Sequence, residues 1–210
     1  IGLGAGALAT YAETRDAFDF FEIDPEVARI AEDPAYFTFL SDCRGDWQNI
    51  LGDGRIQIEK MPDGAYGLII IDAFSSDAIP THLLTREALR LYLAKLNQRG
   101  IVVFHISNRY HDLAPLLRAL ADDAGLVCRM RDDTRISDAE TAQGKFPSRY
   151  LAMAREDAIL DRLSYPGMWD QLGATRVLAP WTDQYSNVLS VVRFRRGETS
   201  EIPTGNPNQP

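Results

Sequence analysis

The chain has 210 residues, 30 acidic and 22 basic side chains and a net charge of −8. That balance argues against nucleic acid as the main partner, because a phosphate backbone is gripped by surplus Lys and Arg. Two cysteines, Cys43 and Cys128, make neither a disulfide framework nor a zinc spacing, and no apolar run reaches membrane-spanning length.

The elements alternate between short apolar strands and helical stretches, the pattern of a parallel sheet covered on both faces. Ile1-Gly2-Leu3-Gly4-Ala5-Gly6 reads as the end of a first strand followed by a glycine-rich turn. A first strand of this kind is central and buried, so the chain is expected to be part of a longer sequence. Ala7 to Tyr11 reads as the helix after the glycines, and Phe18 to Ile23 as the second strand. Asp24-Pro25 starts a helix, with Asp as cap and Pro in the first turn. Residues around Trp47 to Leu51 form the third strand, closing at Gly52-Asp53-Gly54. Gly67 to Asp72 is the fourth, an apolar run ending in a carboxylate. Thr85 caps a helix to about Leu96, and Gly100 to Ile106 is the fifth strand.

A helix from Leu113 to Ala124 and a strand from Leu126 to Met130 follow. Arg131 to Lys145 is polar and reads as a mobile loop, with late strands at Ser148 to Ala154 and Asn187 to Phe194. The expected organisation is one Rossmann-like α/β domain over residues 1–196, with strand order 3-2-1-4-5 and late strands at one edge. Residues 197–210, rich in Gly, Pro, Asn, Ser and Thr, are expected to be a disordered tail.

The glycine loop lets backbone N–H groups approach a ligand closely, and Glu22, twenty positions after Gly2, stands where a carboxylate grips a ribose. Gly2-x-Gly4-x-x-Ala7 also fits the relaxed dinucleotide fingerprint, so the loop alone does not separate NAD from S-adenosylmethionine. Glu22-Ile23-Asp24-Pro25, followed by Val27 and Ala28, looks like the second-strand motif of Rossmann-like methyltransferases. Gly52-Asp53-Gly54 puts a carboxylate where an adenine amino group needs an acceptor. The expected nucleoside contacts are therefore Gly2, Gly4, Gly6, Glu22, Asp53 and Gly54. His82, His105 and His111 have no metal spacing; they read as structural or exposed, and no metal is expected.

Asp72-Ala73-Phe74-Ser75-Ser76-Asp77-Ala78-Ile79-Pro80, together with the motifs above, resembles the spermidine synthase (polyamine aminopropyltransferase) family. His105-Ile106-Ser107-Asn108-Arg109-Tyr110 and Trp181-Thr182-Asp183-Gln184-Tyr185-Ser186-Asn187 look most like spermidine-synthase-like domains of bacterial proteins, some fused to membrane transporter segments. The resemblance runs from Gly2 to about Val192.

It implies a cytoplasmic transferase that moves an aminopropyl group from decarboxylated S-adenosylmethionine to a polyamine. It also implies a site with Asp72 and Asp77 as catalytic carboxylates and Tyr110 and Asp183 on the substrate side. A homodimer and membrane segments elsewhere in a longer protein are compatible with it. The alternatives are a small-molecule methyltransferase using S-adenosylmethionine itself, and a non-catalytic nucleoside- or polyamine-sensing domain of a membrane protein. Two departures stand out. Ala73 and Phe74 are inserted between Asp72 and the Ser-Ser-Asp phrase, which leaves the base open between Asp72 and Asp77. Ala5 stands where the family's loop often has Asp, and the family's N-terminal hairpin region has no counterpart here.

Overall fold

The computed structural model describes residues 1–73, 80–163, 168–173 and 175–193. Its strands in chain order are β1 (Ala17–Glu22), β2 (Asp46–Leu51), β3 (Tyr66–Ile71), β4 (Leu96–His105), β5 (Val127–Asp133), β6 (Ser148–Ala154) and β7 (Asp170–Gln171). The helices are α1 (Pro25–Glu32), α2 (Gly54–Glu59), α3 (Arg86–Lys95), α4 (Ala114–Asp123), α5 (Asp138–Ala142) and α6 (Asp157–Leu160).

β1 pairs in parallel with β2, and β3 in parallel with β4. The late strands are antiparallel and give the order β3-β4-β6-β5-β7. Ile1 and Gly2 join the two sheets. The Gly2 N–H donates to the Phe21 carbonyl (2.9 Å), the Ile1 nitrogen to Ile70 (2.6 Å), and the Asp72 N–H to Ile1 (2.8 Å). The expected order therefore holds, with this two-residue bridge in the place of the first strand and the late strands at the β4 edge. Beyond the bridge, toward the amino ends of the strands, β1 and β3 diverge around a cavity of about 1190 Å³. Phe18, Phe20, Tyr66, Leu68 and Ile70 are among its lining residues.

β4 and β6 bury consecutive residues on both faces, which accounts for their continuous apolar runs. Along β4, Val102 and Phe104 enter the main core, where they meet Leu89 and Tyr92 of α3 and Leu116, Leu117 and Leu120 of α4. The alternate residues Ile101 and Val103 face Ile159 and Leu160 of α6 on the other side, as a period of two requires. A smaller cluster of Leu3, Ala9, Phe20, Ala28, Ala31 and Leu40 seats α1 and the glycine loop on β1. Helix starts follow local chemistry. Asp24 accepts from the Glu26 N–H, Asp53 from Arg55 and Ile56, and Thr85 from Ala88.

Three expectations need correction. Ala7–Tyr11 is a 3₁₀ helix, entered from Gly6 in a left-handed conformation without a side-chain cap. Arg131 to Lys145 carries regular structure at both ends of a short connection: β5 runs on to Asp133, and α5 starts at a capping box between Ser137 and Glu140. Val188–Val191 is a 3₁₀ helix, because the Asn187 side chain accepts the Ser190 N–H and turns the chain. This segment touches the rest through an isolated bridge between Val192 and His111; Phe194 and the expected tail lie outside the described residues.

Candidate functional site

The glycine loop and the ends of β1, β2, β3 and β4 meet at the carboxyl edge of the sheet, where open α/β sheets hold ligands. Gly2 has φ 92°, and a Cβ there would overlap the Asp72 carbonyl oxygen. Only glycine lets the loop lie this close to the end of β3. Gly4 also has positive φ (55°), but a Cβ there would meet nothing within 4 Å. It is exposed, so the loop backbone is open to an approaching ligand at this point.

Glu22 ends β1 and is buried. Its Oε2 accepts the Leu3 N–H (3.0 Å) and its Oε1 the Asp24 N–H (3.0 Å). The carboxylate that was expected to hold a ribose thus also ties the glycine loop to the turn after β1. Asp53 follows β2. Its Oδ1 caps α2 through the N–H groups of Arg55 (2.9 Å) and Ile56 (3.1 Å), while Oδ2 lies 3.0 Å from His82 Nε2. Gly54 is buried against Ile1, so its lack of a side chain serves packing.

Asp72 follows β3 and is partly exposed. Its Oδ1 lies 2.7 Å from His105 Nδ1, at the end of β4. His105 Nε2 lies 2.6 Å from Ser107 Oγ, which accepts the Arg149 N–H (2.7 Å). The imidazole stacks on Tyr150 with ring centroids 4.7 Å apart. Burial pushes the Tyr150 phenol above its ordinary range, and the Asp72 charge adds to this. The pairing of His105 with Asp72 was not read from the sequence, although the signal was present. Ile71 and Phe104 are partners in the parallel register, so the next pair of positions is Asp72 and His105.

Asp183 belongs to a second cluster. Arg55 grips both its oxygens (2.7 and 2.6 Å), and the Thr85 hydroxyl donates to it (2.7 Å). The Arg55 hydrogen bond holds the Asp183 carboxyl below its ordinary value. Arg55 also donates to the His82 carbonyl (2.8 Å), so the cluster continues through His82 to Asp53. Tyr110 is exposed, with the Arg109 guanidinium 5.7 Å from its ring centre. Asp77 lies outside the described residues. Among the described residues no group of three His, Cys, Asp or Glu side chains could hold a metal ion.

A polyamine aminopropyltransferase from Vibrio vulnificus (strain CMCP6) is 36% identical over 110 residues, which cover 49% of this chain and 35% of that protein. This chain is similar to polyamine aminopropyltransferases. It spans about a third of the length of that relative. No family model matches.

Among solved structures, a probable spermidine synthase from Corynebacterium glutamicum superposes with a TM-score of 0.54 at 16% identity, covering 89% of this chain and 73% of that one. The spermidine synthase of Thermotoga maritima gives 0.51 at 16% identity, covering 76% and 54%. Human methyltransferase-like protein 13, solved with SAH, gives 0.51 at 20% identity, covering 82% and 84%. The fold is the Rossmann-like frame common to spermidine synthases and methyltransferases. No helix among the described residues is long and apolar enough to cross a membrane.

Proposed function

We propose that the chain carries the transferase site of an aminopropyltransferase, using decarboxylated S-adenosylmethionine as donor and a polyamine as acceptor. The observation that carries this reading is the position of Asp72. Its backbone packs against Gly2, so its carboxylate stands beside the loop that would receive the nucleoside. In the reaction the amine lone pair forms a bond to the propyl carbon beside the sulfonium. The carbon–sulfur pair returns to sulfur, and 5′-methylthioadenosine leaves. The amine must first give up a proton, and Asp72 is the acceptor within reach of the crevice.

The charges suit cationic substrates. Glu22, Asp53 and Asp72 lie along the strand ends, and the Arg55 guanidinium is engaged by Asp183. That arrangement favours a donor lacking the carboxylate of intact S-adenosylmethionine. Gly4 and Glu22 would hold the nucleoside, with Asp53 at the adenine side. Asp77 would steady the second cationic end of the acceptor.

Calorimetry with S-adenosylmethionine, its decarboxylated form and 5′-methylthioadenosine tests the donor. The last two should bind more tightly; tighter binding of intact S-adenosylmethionine would redirect the reading to methyl transfer. Asp72→Asn keeps the shape and removes the proton acceptor. Turnover should fall by about a hundredfold or more, with 5′-methylthioadenosine affinity nearly unchanged. Asp77→Asn should chiefly raise the amine KM. Full turnover in Asp72→Asn would remove Asp72 from the chemistry.

A further inference from the structure

The unit formed by Asp72, His105, Ser107 and Tyr150 goes beyond a lone carboxylate at a strand end. Three chain segments that are distant in sequence converge on one imidazole. The residue after β3 supplies Asp72, the end of β4 supplies His105 and the turn beyond it Ser107, and β6 supplies the Arg149 N–H and the Tyr150 ring. Both ring nitrogens are engaged and one face is stacked, so the imidazole is fixed in position and tilt.

We propose that His105 is the positioning residue of the transferase site: it holds Asp72 Oδ1 through Nδ1 and thereby aims Oδ2 at the acceptor amine. This rests on the reading of Asp72 as the base. An ionised carboxylate is acceptor-only, so the Nδ1 proton lies on histidine. Nε2 is then the acceptor of a hydrogen bond that the Ser107 hydroxyl donates. Ser107 Oγ in turn takes the Arg149 N–H, and every donor in this line has an acceptor. Among the described residues Asp72 Oδ2 makes no hydrogen bond and is the oxygen left for substrate.

The ammonium first passes a proton to Oδ2, and the lone pair so freed then forms the carbon–nitrogen bond while the carbon–sulfur pair returns to sulfur. The Nδ1–H bond to Oδ1 persists, and no proton crosses the imidazole. What histidine supplies is direction. An aspartate after a strand end turns about two side-chain bonds, and a misplacement of about 1 Å at a reacting group can cost about a hundredfold in rate. The serine and the Tyr150 stack act one step further out, since they set the imidazole that sets the carboxylate.

Two measurements test this. The first needs no turnover. In protein labelled with ¹⁵N-histidine, His105 should show a protonated Nδ1 carrying a low-field proton. That proton should disappear in Asp72→Ala and survive in Ser107→Ala. An unprotonated Nδ1 in the unmutated chain, or a proton indifferent to Asp72→Ala, overturns the proposal.

The second compares replacements at residue 105. Asn places an amide N–H near the former Nδ1, whereas Leu fills the space beside Tyr150 without a donor. Relative to the unmutated chain, His105→Leu should lose about ten- to a hundredfold in kcat with 5′-methylthioadenosine affinity retained. His105→Asn should recover most of the loss. Equal turnover of the Asn and Leu variants would assign His105 to packing alone and overturn the proposal. Absence of turnover in the unmutated chain, with the Asp72-dependent proton present, would support the pairing of His105 with Asp72 and count only against this chain acting alone as the transferase.

Discussion

Glu22 shows how one carboxylate can serve structure and binding together. Each of its oxygens accepts a backbone N–H, one from the glycine loop and one from the turn after β1. Removing it should therefore loosen the loop as well as the proposed ribose contact. Glu22→Ala should weaken 5′-methylthioadenosine binding by more than about tenfold, or ~1.4 kcal/mol. Glu22→Gln is not innocuous either, because its amide NH₂ must face one of the two N–H donors. That buried mismatch should cost about 1–3 kcal/mol in urea unfolding. Unchanged affinity in a folded Glu22→Ala protein would remove the ribose role. Unchanged stability in Glu22→Gln would show that the loop does not depend on this anchor. At the same scale, the sequence placed the glycine turn, Glu22 and Asp72 at strand ends, where the structure has them. The pairing of Asp53 with His82 and of Asp183 with Arg55 was not legible there, because those partners are brought together by tertiary packing across long sequence separations.

Among the elements, α5 departs most from its sequence reading. The stretch from Arg131 to Lys145 lacks apolar periodicity, and its order comes from polar chemistry instead. Lys145 pairs with Asp133 and Glu140, and Ser137 and Glu140 exchange capping hydrogen bonds. Ser137-x-x-Glu140 was the legible signal. The Glu140 carboxyl is pushed down to about 2, first by the Lys145 hydrogen bond and then by the Ser137 backbone and hydroxyl. Asp133 is also lowered, by Arg131 and then Lys145.

A carboxylate whose folded value lies below its unfolded one supports the folded form above the unfolded value. It loses that support as pH falls through the folded value. The cap of α5 should therefore dissolve progressively from the ordinary Glu value of 4.5 down to about 2. Amide chemical shifts of Ser137 and Glu140, followed across that range, should move together. Constant shifts to the acid end would show that the cap does not depend on the charge.

At the scale of the molecule, the chain is two strand groups of unequal support. β4, β6 and the end of β3 are buried between α3 and α4 on one face and α6 on the other. β1 and β2 pair with each other and meet the larger sheet through Ile1 and Gly2, through the Tyr66 hydroxyl on Asp19 (2.6 Å) and through Phe21 in the main core, beside a cavity of about 1190 Å³. Burial of a large apolar side chain stabilises by about 1.5–3 kcal/mol, so the group with fewer such side chains should open first. Native-state hydrogen exchange of the 210-residue chain should give a lower opening free energy for the Phe20 amide than for Phe104. Equal values would show that the two groups unfold as one.

Sequence by itself determined the alternation of strands and helices, the caps at Asp24 and Thr85, and the glycine-rich turn that opens the chain. Each of these is a local matter: a period of apolar residues, a side chain reaching two or three positions along the chain, or a glycine adopting a left-handed turn. Tertiary structure alone decided which side chains share the crevice. His105 reaches Asp72 because β3 and β4 lie side by side in parallel register, and Asp183 is held by Arg55 because a late segment folds back across α2 and α3. Contacts of that kind depend on the relative placement of whole strands and helices, and that placement is set by burial of apolar faces in a common core, to which no single segment is privy.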